Sequence, residues 1–162
     1  MKQEYKFGFE EYNDISELPA ADASLLEEAR KVTQKAYAPY SNFFVGAAAI
    51  LNNGQKVFGT NQENASYPVG ICAERVLLSS AAMLQTDEPI KTIAISYNNL
   101  SGNGESNRPV SPCGMCRQSL AEYEERVKQP IRLILAGMEG KVLVIESVKQ
   151  LLPFSFGSGD MK

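Results

Sequence analysis

Asn53-Gly54 separates two strand-forming runs, Phe43 to Leu51 and Gln55 to Gly59, and this arrangement constrains the fold more than any other local feature of the chain. Such a pair readily takes the positive φ values of a two-residue hairpin turn, so the segment is expected to be an antiparallel hairpin. Before it, Leu25, Leu26, Ala29, Val32, Thr33 and Ala36 recur at helical spacing, with Ser24 or Asp22 as the expected cap and the end near Pro39. After it, Ile71 to Gln85 reads as a buried helix and Cys113 to Arg126 as a third. Thr92 to Tyr97, Ile131 to Ala136 and Lys141 to Ile145 read as strands, the last two joined by a short Gly137–Gly140 turn that favours antiparallel pairing. Ser147 to Leu152 is expected to form a short helix. The order of elements predicts an α/β domain of three layers, α/β/α, with a mixed sheet of about five strands and helices on both faces. That domain is expected over residues 21–162, behind an arm at 1–20 in which Tyr5, Phe7 and Phe9 alternate with other residues as in an extra strand. Asn98 to Pro112 is a long loop rich in Gly, Asn and Ser.

A chain of 162 residues fits one domain. Its 16 basic and 19 acidic residues give a net charge of -3, and no run of Lys or Arg exceeds the pair Arg30-Lys31. A nucleic-acid groove or an anionic membrane surface needs a basic patch, so neither partner is expected. The first residues lack the unbroken apolar core of a secretory leader, and the longest mostly apolar run, Val45 to Leu51, falls far short of the ~20 residues of a membrane helix. A cytoplasmic location follows as the expectation.

The chain has three cysteines, Cys72, Cys113 and Cys116, and no histidine. In a reducing compartment an odd cysteine count with a Cys-x-x-Cys spacing favours metal binding or redox work over a disulfide framework. Any tightly held zinc must then be bound by thiolates, and three of them leave open the fourth tetrahedral position that a catalytic zinc keeps. Cys72 falls at the start of the second predicted helix, and Cys113 and Cys116 at the start of the third, where backbone dipoles favour thiolates. Arg75 and Arg117 lie three and four residues after a cysteine, spacings that suit a supporting role, with Arg75 expected to donate to the sulfurs. Glu74 is near enough to reach a water in the open position and to serve as base and then acid.

Cys72-Ala73-Glu74-Arg75 followed by Pro112-Cys113-Gly114-Met115-Cys116-Arg117-Gln118 resembles the zinc signature of the cytidine deaminase family, in its three-cysteine, homotetrameric subgroup. Ala38 to Ala48 and Asn61 to Pro68 are similar to further segments of that family, and the likeness runs from about residue 24 to Gly157. The resemblance implies a cytidine deaminase-like fold and the zinc-dependent hydrolysis of cytidine and deoxycytidine to uridine and deoxyuridine in pyrimidine salvage. It implies Zn2+ on Cys72, Cys113 and Cys116, proton transfer by Glu74, and ribose binding by Asn61 and Glu63. It further implies that Phe43 packs on the base, that the Ala73 backbone donates to the pyrimidine carbonyl, and that Phe156 reaches a neighbouring subunit's site. A related substrate such as a cytosine-containing antibiotic, or a non-catalytic zinc-stabilised interaction module, are the competing readings. The arm and the long loop depart from the family's short members.

Overall fold

Phe43–Leu51 forms a strand, β2, and Lys56–Thr60 returns beside it as β3, antiparallel, with Ala48 opposite Phe58. The computed structural model describes residues 1–102 and 104–161; Asn103 of the expected long loop and Lys162 at the end of the expected domain lie outside the described residues. The hairpin is present, but its connection differs from the expected two-residue turn. Gly54 N–H donates to the Leu51 carbonyl and Leu51 N–H to that of Gln55, so Asn52, Asn53 and Gly54 make a three-residue loop. Only Gly54 has positive φ there (83°), because Asn53 spends its side chain on the Gln55 N–H and on Gln85 instead of entering the left-handed region.

Among the described residues the sheet has six strands, one more than the expected five; with β1 at Glu10–Tyr12, β4 at Ile90–Asn99, β5 at Arg132–Ala136 and β6 at Val142–Ile145, their order is β1-β6-β5-β4-β2-β3. The added strand, β1, belongs to the arm and pairs antiparallel to β6. The alternating aromatics Tyr5, Phe7 and Phe9 precede it and remain exposed, whereas Tyr12 packs against the core beside Ile15. β4 also exceeds its expected length, because β2 offers it nine partners from Phe43 opposite Asn99 to Leu51 opposite Ile90. β4 and β5 are parallel and the other pairs antiparallel, which makes the sheet mixed.

Three helices cover it: α1 Ala20–Val32, α2 Ala73–Leu84 and α3 Gly114–Val127. α1 starts four residues before Ser24, after Pro19, and Asp22 serves in its first turn through an ion pair with Arg132 at 2.8 Å rather than as the cap. It stops at Val32, where a short 3-10 turn, Thr33–Lys35, replaces the expected run towards Pro39. Alternate strand residues divide the core. Ala48, Ala94 and Ile134 meet Leu26 and Ala29 of α1, while Ala47, Ile93, Ile95 and Leu133 meet Leu77 of α2 and Leu120 of α3. The layers are therefore α/β/α, as expected.

The loop after β4 packs onto the β5–β6 turn: Ser106 accepts the Glu139 N–H at 3.2 Å, and its hydroxyl accepts the Asn99 N–H at 2.8 Å. One close approach positions the site. A Cβ on Gly59 of β3 would collide with the Ala73 carbonyl oxygen, so only glycine lets the first turn of α2 sit this near the sheet. Gly59→Ala is expected to lower stability by about 1–3 kcal/mol, the usual cost of overpacking, read as a reduced denaturation midpoint. Gly8→Ala, which meets open space, should leave that midpoint unchanged.

Candidate active site

Cys72 is the N-cap of α2 and Cys113 the N-cap of α3, so two helix N-termini converge where the sulfurs meet. Cys116, one turn further along α3, is fully buried beneath them. The Sγ atoms of Cys72 and Cys113 are 3.9 Å apart, those of Cys113 and Cys116 3.5 Å, and all three lie within 4.8 Å of one another. Thiolates at ~2.3 Å from a tetrahedral zinc are separated by about 3.8 Å, so the sulfurs stand close to the edges of such a site. The neighbouring Cys116 thiol holds the Cys72 thiol well below its ordinary value, against its partial burial, while Cys72 and burial push that of Cys116 up. One thiolate is thus already favoured within the cluster. The partial positive charge of the two helix ends offsets the negative charge that three thiolates gather around a divalent cation.

Glu74, in the first turn of α2, is buried beside this cluster with 6% of its surface exposed. Desolvation raises its carboxyl above the ordinary carboxylate value, and the pull of its own N–H and of the Cys116 thiol opposes this only partly. A carboxyl in that condition is a better base when ionised and holds its proton at higher pH, the pairing that a two-way proton carrier needs. Ala73, the first residue of the same helix, has an N–H without an intrahelical acceptor, and the residue lines the same space.

That space is a cavity of about 710 Å3, within the size range of small-molecule sites. Cys72, Ala73, Glu74 and Cys113 line it, and so do Phe43, Asn61 and Glu63. Sequence positions 43, 61–63, 72–74 and 113 are therefore brought together. Asn61 joins the wall to β2: its Oδ1 accepts the Val45 N–H at 2.7 Å and its Nδ2 donates to the Phe43 carbonyl at 2.8 Å. One lone pair and one N–H of the amide are left for a ligand. Glu63 Oε2 accepts the N–H of Tyr40 at 2.8 Å and of Ser41 at 3.3 Å, and the Ser41 hydroxyl and these amides hold its carboxyl below the usual range. It is a fixed anion at the cavity wall.

Phe156, Arg75 and Arg117 do not line this cavity. Phe156 is outside the cavity wall and 60% exposed, its carbonyl accepting from Gln118 Nε2 at 2.9 Å. Arg75 makes no hydrogen bond to a sulfur among the described residues; it lines a shallow groove between α2 and α3 with Glu122 and Arg126, and influences Cys72 only through its charge. Arg117 donates to the carbonyls of Pro112 at 2.9 Å and Leu151 at 3.0 Å, which ties the residue before Cys113 to the C-terminal segment. Helical spacing places a guanidinium on a face without deciding which of several nearby carbonyls it will take. Tyr40, Tyr67 and Tyr97 also line the cavity and were not anticipated. Tyr97 had one legible signal, its place two residues beyond Ile95 on a strand with alternating faces.

Residues 19–129 match the family model described as the cytidine and deoxycytidylate deaminase zinc-binding region. A cytidine deaminase of Halalkalibacterium halodurans is 35% identical over 137 residues, 85% of this chain and 95% of that protein. The cytidine deaminase of Mycobacterium tuberculosis is 32% identical over 148 residues, 89% of this chain and 96% of that protein. Among solved structures, the cytidine deaminase from Burkholderia pseudomallei aligns with a TM-score of 0.70 at 40% identity, covering 82% of this chain and 97% of that one.

Proposed function

The chain belongs to the cytidine and deoxycytidylate deaminase family, and from that membership we propose that it hydrolyses cytidine and deoxycytidine to uridine and deoxyuridine, releasing ammonia, in pyrimidine salvage. The observation that carries this reading is the trio of sulfurs at zinc-edge spacing beside a buried carboxyl whose proton is held high. Zinc is the cofactor, with Cys72, Cys113 and Cys116 as its ligands, and when bound it supplies the Lewis acidity that brings water ionisation towards neutral pH.

The remaining work belongs to the chain's own side chains. Phe43 packs against the pyrimidine, and the Ala73 N–H donates to the ring carbonyl, which aims the amino-bearing carbon, C4, at the Glu74 end of the cavity. Glu74 takes a proton from the attacking water and delivers it to ring N3. It carries the water's second proton to the amino nitrogen as the C4–N bond breaks, so the oxygen stays on C4 and ammonia leaves. Asn61 and Glu63 hold the ribose hydroxyls, an amide and a carboxylate suited to accepting from them. Arg117 supports Cys113 through the Pro112 carbonyl, and Arg75 supports the thiolates by charge.

The residues at 21–162 form the catalytic domain and those at 1–20 an arm, a division supported by the family match beginning at residue 19. The enzyme assembles as a homotetramer in the cytoplasm, with Phe156 offered to a neighbouring copy. Its 60% exposure, beside a fully exposed Phe154, supports that role. No helix among the described residues is long and apolar enough to cross a membrane.

The test is a deamination panel of cytidine, deoxycytidine, free cytosine and a blasticidin-type nucleoside. Turnover of the two simple nucleosides, with free cytosine slower by at least tenfold, is expected. Equal turnover of free cytosine would remove the ribose-binding reading, and stoichiometric zinc with no deamination would sink the enzyme reading. Comparing substrates is cleaner than Asn61→Ala, which would also release two backbone bonds of β2.

A further inference from the structure

The aromatic wall at Phe43 is two rings deep. Phe43 begins β2 and Tyr97 lies near the end of β4, where Val45 is opposite Tyr97 and Phe43 opposite Asn99, so the two rings are diagonal neighbours on one sheet face. Their centroids are 4.8 Å apart and their planes 13° from parallel, a stacked pair. Tyr97 is only 3% exposed, while Phe43 is half-buried and lines the cavity. The inner face of the Phe43 ring is therefore taken by Tyr97, and what remains open faces the ligand space.

The backbone of Phe43 is held separately. Its N–H donates to the Ser41 hydroxyl at 3.1 Å, its carbonyl accepts from Asn61, and Asn42 before it sits at a φ of 55°. These contacts fix where the side chain starts but not the plane of its ring, which turns about its own torsions unless a neighbour stops it. Tyr97 is the aromatic neighbour placed to do so. Its phenol oxygen has no hydrogen-bond partner among the described residues, so the hydroxyl is not what holds the pair together.

We propose that Tyr97 is a positioning and specificity-determining residue: stacked beneath Phe43, it sets the plane of the wall on which a flat heteroaromatic base packs. This rests on the reading of Phe43 as the base platform. A platform contact is made alike in the bound substrate and in the transition state, so losing it raises KM and leaves kcat in place.

The experiment uses the zinc-loaded enzyme and measures kcat and KM for cytidine, the Kd of the product uridine, and thermal midpoints. Tyr97→Phe, which keeps the stack, is expected to stay within about twofold of the parent in every value. Tyr97→Leu should raise KM and the uridine Kd by about two- to tenfold, the range an aromatic pair contributes, with kcat within twofold. Tyr97→Met, closer in length and flexible, gives the same comparison if the leucine variant folds poorly. In a Phe43→Leu background, Tyr97→Leu should add less than twofold, because its effect passes through the ring already removed. Multiplicative effects in the double variant, or an unchanged KM and Kd in Tyr97→Leu, would overturn the proposal alone. Unchanged binding in Phe43→Leu by itself would overturn the platform reading and this proposal with it.

Discussion

Glu74→Gln is expected to lower kcat by about 10²- to 10⁴-fold, the contribution of a positioned proton carrier, while leaving zinc stoichiometry and the fold intact. Size and charge set this expectation. Gln fills the same volume and keeps a polar tip in the first turn of α2, so the sulfurs and the cavity wall are undisturbed. It cannot take a proton from water or hand one to N3, so the loss falls on kcat rather than on uridine binding. Stability gives an independent check through pH. The Glu74 carboxyl is raised in the folded protein by burial, so the unfolded chain releases this proton first as pH climbs. Below the unfolded value both states are protonated and Glu and Gln should be matched. Above it, ionisation favours unfolding, and in metal-free protein Glu74→Gln should melt higher than the parent at neutral pH. A variant with parental kcat would remove Glu74 from the chemistry, and one no more stable than the parent at neutral pH would remove burial as the cause of its shift.

Cys116→Ala is expected to weaken zinc binding by roughly 10²- to 10³-fold, one ligand's share of the ~10–16 kcal/mol that a structural zinc contributes, and to abolish deamination at ordinary zinc levels. Of the three proposed ligands Cys116 is the one enclosed by protein, and it stands 3.5 Å from Cys113, so no water-exposed donor can move into its place without opening α3. Competition with a chelator reads the affinity, and deamination assayed across rising zinc shows whether activity returns with occupancy. Zinc affinity equal to the parent's would mean that the metal is held elsewhere. Removal of zinc from the parent by chelation should likewise stop turnover and lower the thermal midpoint, since metal that binds only the folded chain stabilises it by mass action.

Much of this could be read along the chain because the features involved are local. The Cys-x-x-Cys spacing lies within one helical turn, so Cys113 and Cys116 were bound to share a face wherever α3 went. Cys72 and Glu74 flank the start of α2 for the same reason. The hairpin of β2 and β3 followed from two strand-forming runs around a turn. What failed was decided at a distance. β4 grew to Asn99 because β2 offered it partners, and three residues of the arm became β1 because the edge of β6 was free to pair. Helical spacing could not choose where the two guanidinium groups would go: Arg117 took the carbonyls of Pro112 and of distant Leu151, and Arg75 a groove that it shares with Glu122 and Arg126.

By itself, then, the sequence determined which groups are on offer: three cysteines and no histidine make sulfur the soft donor available to zinc, and Glu74, two residues after Cys72, is the carboxylate proposed for the proton work. Only the tertiary structure decided that Cys72 meets Cys113 across 41 residues of chain, that glycine at position 59 seats the start of α2 against the sheet, and that Tyr97 lies under Phe43. The physical reason is that residue type and short spacing set what a group can do. Burial, strand register and close packing set what it faces, and these exist only once distant segments share one core.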